Sequence, residues 1–526
     1  MSAAPNSSGF KVLLIATIAL ALFLAVIFMG IIGPQDEPDL NGDPMAGGPG
    51  AASTSDEPGF DPTALQFKTW PAPAAALILS GEQHGYFEPC GCTENQSGGF
   101  SRRGDLIRQV QELGWKTAGL DVGGLLKRNG VQAQVKFKTM LTALKDLNYK
   151  AFALGVEEVK LGADVVVSSN FEDNPLAFLS SNVTFYEAPE LGTPVRTKVF
   201  DHGGIKFGVT SVLGDSLKPE LGQVSDVTVE PASAAIKATL GQLASATVDM
   251  KILLSHGSMK EAEKFAAEFP EFNLIVTTGG AEDPDGRPAQ VGDTVLLNVG
   301  KKGKHAGVLA IYPNDEPKFR FELVQLDRDR FGDSPAMIEH MRTYQQQLEA
   351  QQVSIQESAV GHPTGASFVG SDACADCHEE EYDIWKKSPH AKAFLSLDPS
   401  NEGHGYERLK GIPRLHDPEC LCCHVTGWNP QDVYRYRSGF INESLADAVG
   451  EDPERMPLLV GSGCENCHGP GSRHIELAEE GEDELAAKEV RFTLEQAKSS
   501  NGCYKCHDLD NSPTFDFEEY WPKIAH

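Results

Sequence analysis

Four short cysteine and histidine motifs in the last third of the chain carry the clearest chemistry. Each reads Cys-x-x-Cys-His, and chance would give about 0.007 such matches in a chain of this composition. Two thiols separated by two residues can each form a thioether with one vinyl group of a haem, and the adjacent histidine then reaches the iron. The pattern therefore predicts four covalently bound c-type haems. The motif residues are Cys374, Cys377, His378, Cys420, Cys423, His424, Cys464, Cys467, His468, Cys503, Cys506 and His507.

Structural zinc is the alternative explanation for paired cysteines. A zinc site of this kind needs two Cys-x-x-Cys pairs, and it gives no reason for a histidine directly after every second cysteine. The additional thiol Cys422 is not needed for haem attachment, and we predict that it is a small packed residue. The spacing favours haem over zinc.

Each haem iron needs a second axial ligand besides the proximal histidine of its own motif, which is His378, His424, His468 or His507. The remaining histidines of this region are candidates, although a single histidine is more often exposed or hydrogen-bonded than ligating. His390 and His474 are the strongest of them. The full set of candidates is His390, His404, His416, His474 and His526.

The composition limits the possible partners. The chain has 526 residues, 75 acidic and 45 basic side chains, and a formal net charge of −30. Nucleic-acid binding rests on neutralising phosphates with Lys and Arg, so we do not expect this acidic chain to bind DNA or RNA. The length is enough for two or three domains, and the acidic charge favours a basic partner.

The N-terminal segment predicts export from the cytoplasm. From Val12 to Gly33 the chain has 22 residues without a charge, enough to span a hydrocarbon core of roughly 30 Å. A cleaved signal peptide is the alternative, and it also exports the rest of the chain. Lys11 on one flank and acids on the other place the N-terminus in the cytoplasm. We expect a cytoplasmic tail (1–10), a single-pass anchor (11–33) and a flexible linker (34–66), with the bulk in the periplasm.

The middle region, residues 67–325, predicts an α/β sandwich with its site at the strand ends. Amphipathic stretches such as KEAEKFAAEF separate short apolar runs. The runs are AAALILSG, KTAGLDVGG, YKAFALGV, LAFLSSNV, IKFGVTSVLG, MKILLSHG, FNLIVTTGG and DTVLLNVG.

The order of these phrases resembles the metallophosphoesterases of the bacterial 5′-nucleotidase type, which implies a four-layer αββα fold with a dinuclear metal centre. The opening Asp-x-His of that family stands here as Glu82-Gln83-His84, and its second Asp is kept as Asp121. Its Gly-Asn-His-Glu reads Gly155-Val156-Glu157-Glu158, its Ser-His is kept as Ser255-His256, and its Gly-His-x-His reads Gly279-Gly280-Ala281-Glu282.

The missing ligands predict the loss of phosphoesterase activity, because a two-metal hydrolase needs two ions about 3.5–4 Å apart. One divalent metal ion could still be held by the retained residues Glu82, His84, Asp121 and His256. The alternative is a degenerate scaffold without metal.

Two further features lie near the expected strand ends. Cys90 and Cys92 are one residue apart, which suggests a local disulfide or a metal role. The basic pair Arg102-Arg103 could bind an anion, although solvation at the surface is the more common role of such a pair.

A helical connector is expected over residues 326–366. The stretch 336–358 lacks Gly and Pro, and Met337, Met341, Tyr344 and Leu348 recur at helical spacing. This apolar stripe predicts a helix that packs against a domain rather than one that dimerises.

Residues 367–526 resemble the tetrahaem c554-type cytochromes of ammonia-oxidising bacteria. The phrases WKKSPHA (385–391) and GCENCHGPG (463–471) carry this resemblance. It implies a mainly helical, haem-packed domain with three bis-histidine haems and one five-coordinate haem. His390 and His474 match distal ligands of the family and His526 is a looser match, so the haem at His424 would be five-coordinate. His404 and His416 have no counterpart in the family. One of them could therefore occupy the second axial position of the haem at His424.

Together these features predict a membrane-anchored, extracytoplasmic electron carrier rather than a hydrolase. Its partners would be redox proteins or a quinol-linked donor, and its location the bacterial inner membrane. Two alternatives remain: an oxidoreductase that acts on a small nitrogen or oxygen species at a five-coordinate haem, and a metal-dependent phosphoesterase with a cytochrome accessory domain.

Overall fold

The computed structural model describes residues 64–89, 96–170, 175–401 and 409–526. The predicted membrane anchor, the linker up to residue 63, the Cys90 and Cys92 pair, and His404 lie outside these residues. Within the described ranges no helix is both long and apolar enough to cross a bilayer.

Two six-stranded sheets form the centre of the middle region. In the first sheet the strand order is β14-β13-β1-β2-β3-β4, and in the second it is β11-β12-β10-β9-β7-β6. The strands are β1 (Ala75–Ser80), β2 (Thr117–Asp121), β3 (Tyr149–Ala153), β4 (Ala177–Leu179), β5 (Val183–Phe185), β6 (Thr197–His202), β7 (Ile205–Leu213), β8 (Val227–Val229), β9 (Met250–His256), β10 (Leu274–Thr277), β11 (Ala289–Val291), β12 (Thr294–Asn298), β13 (His305–Ile311), β14 (Phe319–Gln325), β15 (Trp428–Asn429) and β16 (Tyr434–Arg435).

The central strands of both sheets are parallel and are buried on both faces. Side chains alternate along a strand, so Ile78 of β1 points into the layer of helices while Leu77 and Leu79 point to the other sheet. Burial on both faces explains the continuous apolar runs in the sequence. All eight predicted runs contain a strand, in β1–β4, β7, β9, β10 and β12.

The antiparallel strands were not predicted. β6, β11 and β14 lie at sheet edges and are only partly buried, so their apolar pattern is weak. β13 is fully buried between β1 and β14, although it begins with His305 and contains Gly307. The polar and small residues at the start of β13 weaken the apolar pattern by which its sequence would predict a strand.

Helices cover the outer face of each sheet and confirm the predicted four-layer αββα arrangement. α1, α2 and α8 lie on the first sheet, and α6 and α7 lie on the second. The helices are α1 (Phe100–Glu112), α2 (Val131–Asp146), α3 (Val156–Lys160), α4 (Ala163–Ser168), α5 (Lys218–Leu221), α6 (Ala232–Ser245), α7 (Met259–Glu268), α8 (Pro335–Ala350), α9 (Val353–Gln356), α10 (Ser371–Ala375), α11 (Glu379–Lys387), α12 (Pro418–His424), α13 (Glu443–Ala446), α14 (Cys464–His468), α15 (Ser472–Glu479), α16 (Asp483–Glu489), α17 (Leu494–Lys498) and α18 (Phe517–Tyr520).

The connector helix α8 is part of the same core. Its four stripe residues Met337, Met341, Tyr344 and Leu348 are buried, and the helix packs against α1 and α2. It ends at Ala350, earlier than the predicted 358, because the chain turns at Gln351 and Gln352. We call residues 65–350 the α/β part.

Residues 367–526, which we call the haem part, consist mainly of short helices and turns. Their apolar cluster is small and centres on Leu421, Trp428 and Phe440. The motifs lie in short helical segments: α12 and α14 contain the second and third motifs, α10 contains Cys374 of the first, and Cys503–Lys505 form a 3₁₀ turn in the fourth. From Leu65 to His526 the chain forms one compact unit, so the haem part and the α/β part pack together.

Candidate haem centres and the strand-end site

Three pairs of imidazole rings face one another in the haem part. His378 lies opposite His474, with ring centroids 6.1 Å apart. His507 lies opposite His390 at 6.0 Å, and His468 lies opposite His526 at 5.7 Å. Each pair joins the histidine of one motif to a histidine that is distant in the sequence or in a separate element.

The spacing of these pairs fits an iron between the two rings. Metal–nitrogen bonds of about 2 Å on each side, plus about 1 Å from each nitrogen to its ring centre, give centroids about 6 Å apart. The Nδ1 atoms of His468 and His474 lie 2.8 Å from the Val490 and Ala486 carbonyl oxygens. Such bonds fix the ring orientation and leave Nε2 for the metal.

The remaining motif histidine, His424, is also held by its Nδ1 atom. This atom lies 2.7 Å from the Ala393 carbonyl oxygen and 3.2 Å from Ser396 Oγ. His416, one of the candidate ligands, lies instead with its Nε2 3.6 Å from Glu349. His424 is therefore held through Nδ1 like the proximal His468 and His507, and His416 is directed to a carboxylate.

The motifs lie side by side in two groups. The Cys374 thiol contacts the Cys464 thiol, so the first and third motifs are neighbours. The Cys506 thiol contacts Cys423, so the second and fourth are neighbours. The buried Cys422 packs in the apolar cluster as predicted.

A buried carboxylate joins the first group. Glu465, inside the third motif, accepts hydrogen bonds from the backbone N–H groups of Val369 (2.9 Å), Gly370 (2.8 Å) and Gly471 (2.7 Å). Burial raises the pKa of Glu465, although these backbone donors oppose the shift. The carboxylate thereby ties the third motif to the segment that precedes the first.

A cavity of ≈ 2290 Å³ lies between the haem part and the α/β part. It is larger than the about 300–1,000 Å³ of a usual small-molecule pocket, and it is large enough for bulky prosthetic groups. His390, His424 and His507 line it from one side, and Lys127 and Phe331 line it from the other. The α/β part therefore forms one wall of the space around the second and fourth motifs.

The segment before the second motif is anchored in the α/β part. Asp417 caps α12 by accepting a hydrogen bond from Glu419 N at 3.0 Å. It also accepts hydrogen bonds at 2.7 Å from Gln132 of α2 and Gln345 of α8. Burial raises the pKa of Asp417, and the Glu419 charge adds to that shift. The cap of the haem-binding helix is thus completed by two helices of the α/β part.

Ion pairs reinforce this contact. Lys136 of α2 donates to Glu419, the residue directly before Cys420, and Arg128 Nη1 lies 3.4 Å from the same carboxylate. Burial would raise the pKa of Glu419, but the Lys136 charge and hydrogen bond, with Arg128, lower it overall. Arg414 Nη2 contacts both carboxylate oxygens of Glu88 at 2.9 Å.

The segment after the fourth motif lies against the strand ends of the α/β part. Asp510 accepts hydrogen bonds from Lys302 Nζ (2.6 Å) and from the Tyr86 hydroxyl (2.7 Å). Gln96 Nε2 donates to the Asp510 carbonyl oxygen at 3.2 Å. The haem part therefore covers a portion of the edge at which α/β folds bind their ligands.

A buried cation occupies the centre of that edge. Arg103 of α1 is 0% exposed, and it donates to Ser80 Oγ at 3.2 Å and to the Gln83 side chain. Ser80 in turn donates to Asp121 at 2.5 Å and contacts the Tyr149 hydroxyl at 2.9 Å. Burial raises the pKa of Asp121, and the Arg103 charge is the largest opposing influence.

This geometry corrects the expectation for Arg102 and Arg103. Neither is at the surface, because both lie on the buried side of α1. Arg102 donates to the Gln96 and Leu326 carbonyl oxygens, and Arg103 supplies an internal positive charge to Asp121. Arg103 follows Phe100 and precedes Ile107 and Val110 at spacings of 3, 4 and 3, so the apolar stripe of α1 was the signal for its burial.

The other proposed metal ligands lie nearby but are held in separate contacts. His84 Nε2 lies 3.5 Å and Lys301 Nζ lies 3.7 Å from Glu82 Oε2. His256 directs Nδ1 to the Val122 carbonyl oxygen at 3.0 Å. Burial raises the pKa of Glu82, but the His84 hydrogen bond and the surrounding positive charges lower it overall. In the portion of the chain that the structure describes, no three His, Cys, Asp or Glu residues are grouped to hold a metal ion.

Glu158 holds the loop after β2 in place. Its carboxylate accepts hydrogen bonds from the backbone N–H groups of Gly124 (3.1 Å), Leu125 (2.8 Å) and Gly155 (2.8 Å). Burial raises its pKa to about 8, with a contribution from Glu157, although the three backbone donors oppose the shift. Glu158 therefore acts as a structural cap at the start of α3.

A pH-dependent stability follows from Glu158. Because its pKa is raised in the folded state, its contribution is complete below pH 4.5 and is lost as the pH rises through 8. We expect the free energy of unfolding of the wild type to fall by about 1 kcal/mol per pH unit near pH 6–7 relative to Glu158→Gln. Urea unfolding of both proteins, followed by far-UV circular dichroism at several pH values, measures this difference. Parallel pH profiles of the two proteins would contradict it.

Comparison with known proteins supports a c-type cytochrome in the haem part. The family described as cytochrome c554 and c-prime matches residues 373–469. Cytochrome c-554 of Nitrosomonas europaea is 34% identical over 109 residues, which are 20% of this chain. The chain spans 40% of the length of that curated relative. The predicted resemblance of the haem part to c554-type cytochromes is confirmed.

The chain is also similar in fold to solved structures of a 5′-nucleotidase precursor and a sulfate thiohydrolase. A 5′-nucleotidase precursor from Thermus thermophilus has 16% identity and a TM-score of 0.46, covering 64% of this chain and 80% of that one. The sulfate thiohydrolase SoxB from the same organism, in complex with glycerol, has 15% identity and a TM-score of 0.44, covering 53% and 62%. At these identities and scores the similarity says nothing about activity.

Proposed function

We propose that the chain is a tetrahaem c-type cytochrome that transfers electrons, and that its α/β part supports the haem part and hydrolyses no phosphoester. The three imidazole pairs carry the proposal, because each brings a motif histidine and a distant histidine to the spacing that an iron requires. When bound, the haems supply one-electron couples.

The protein's own residues have two tasks in this function. The backbone and hydroxyl groups that bond Nδ1 hold the rings in position, and His507 contacts Ser512 Oγ at 3.0 Å in the same way. The Cys374 and Cys464 side chains lie close together, as do those of Cys423 and Cys506, so haems attached there would be neighbours. Closely spaced redox centres suit transfer along a chain.

The absence of hydrolysis is supported by charge and by access. A dinuclear centre needs clustered ligands for two ions about 3.5–4 Å apart, whereas Asp121 here has a buried guanidinium as its positive neighbour. Lys302 and Tyr86 at the strand ends are engaged by Asp510 of the haem part. We propose that Glu82, His84, Asp121 and His256 do not bind the single divalent metal ion that the sequence allowed for.

The cellular setting is proposed from the sequence. Residues 11–33 would anchor the chain in the bacterial inner membrane with the remainder in the periplasm, where redox proteins or a quinol-linked donor deliver electrons. The net charge of −30 favours a basic partner and disfavours nucleic acid.

The proposal is tested on the full chain, purified in detergent with its haems attached. We expect four haems per chain by the pyridine haemochrome method and complete reversible reduction. With added Mn²⁺ or Zn²⁺, we expect no phosphate release from nucleotides or from p-nitrophenyl phosphate. Fewer than four haems would contradict the cytochrome proposal. Phosphate release that disappears in His256→Ala would instead establish the hydrolase alternative.

A further inference from the structure

The α/β part places charged side chains directly beside the second motif. Glu419 directly precedes Cys420, and Lys136 of α2 forms an ion pair with it. The Lys136 side chain is 7% exposed, and that of Glu419 is 33% exposed. Lys136 is almost completely removed from water and Glu419 only in part, so solvent screens the Lys136 charge less than it screens a surface lysine.

The surrounding groups are mixed in sign. Arg128 lies 3.4 Å from Glu419, and the charge of Lys127 also acts on that carboxylate. Asp417 is buried on the other side and is held by Gln132 and Gln345. Lys136 is the basic group in direct contact with Glu419 that is itself buried, so its loss would leave a carboxylate insufficiently neutralised next to Cys420.

Charge next to a redox centre changes its potential in a defined direction. Reduction adds one electron, so a nearby cation favours the reduced form and an uncompensated carboxylate favours the oxidised form. Because Cys420 would carry a thioether of the second haem and directly follows Glu419, the Lys136–Glu419 pair lies beside that haem, and the neighbouring fourth motif is the next to feel its charge.

We propose that Lys136 is a positioning residue of the α/β part that raises the reduction potential of the haem at Cys420–His424 by neutralising Glu419. This inference rests on the proposed electron-transfer function. It gives the α/β part a role in redox tuning that depends on its docking rather than on any chemistry at its strand ends.

The test is a spectroelectrochemical titration of the haem-loaded full chain. In Lys136→Met we expect one of the four transitions to move to lower potential, with a tenfold smaller equilibrium constant for reduction, about 59 mV for a one-electron couple. Lys136→Arg should restore the wild-type value because it keeps the charge. Lys138→Met is the matched control, because Lys138 lies on the same helix and is exposed.

Glu419→Gln provides the opposite change. It leaves Lys136 without its carboxylate, so the same transition should move to higher potential. In the double variant, Lys136→Met with Glu419→Gln, the potential of that transition should return close to the wild-type value. Unchanged potentials, shifts of the same sign in both single variants, or equal shifts of all four transitions would overturn the inference. A wild type with fewer than four haems would instead count against the proposed function, so the two failures are distinguishable.

Discussion

Replacing any one of the distal histidines is expected to convert one haem from low spin to high spin. His390, His474 and His526 each face a motif histidine at 5.7–6.1 Å, and alanine at any of these positions leaves the iron with one protein ligand. Electron paramagnetic resonance with parallel haem quantification should show one additional high-spin haem equivalent in each variant. The haem content should stay unchanged, because the thioether bonds and the proximal histidine remain.

His416→Ala is the matched control for this series. His416 lies in the same part of the chain but points to Glu349, so its loss should leave the spectrum unchanged. A distal variant with the wild-type spectrum would show that its ring pair is not an axial pair. The wild-type spectrum also decides the state of the haem at His424: one high-spin equivalent means an open axial position, as the resemblance implies, and none means a closed one.

Replacing Arg103 by methionine is expected to destabilise the folded protein by about 3–5 kcal/mol. Arg103 is the main positive charge acting on the fully buried Asp121, and its loss removes the largest compensation for burying that carboxyl group. Denaturant unfolding followed by circular dichroism measures the loss. Arg103→Met with Asp121→Asn should recover part of it, because the second change removes the uncompensated charge.

Arg108→Met on the same helix is the control for the Arg103 series. Arg108 is exposed and pairs with Asp105 and Glu112 at the surface, so its replacement should destabilise the protein far less than that of Arg103. Arg103→Lys should show an intermediate stability, since it keeps the charge but loses the planar donor geometry. A stability of Arg103→Met within about 1 kcal/mol of the wild type would refute the role assigned to this residue.

Local chemistry and periodicity explain what the sequence predicted well. A Cys-x-x-Cys-His motif is complete within five residues, so haem attachment is visible without any fold. The central strands are equally visible, because burial on both faces makes them continuously apolar, as in β1 and β9.

Long-range contacts explain what the sequence did not predict. His390 was a candidate ligand, but only the fold places it opposite His507 rather than opposite another motif. The contacts of Lys136 with Glu419 and of Lys302 with Asp510 join residues more than 200 positions apart. For Arg103 anion binding and surface solvation were both left open, whereas its place on the apolar stripe of α1 accounts for its burial.

The cavity shared by the haem part and the α/β part implies an order of assembly in the cell. The α/β part leaves the ribosome first and can form its sheets early, whereas its wall around the second and fourth motifs closes only when the segments near Asp417 and Asp510 dock. A rigid macrocycle reaches the second and fourth motifs more easily before these contacts form. We therefore expect attachment at Cys420 and Cys503 to precede docking, while the two parts of the chain are still separate.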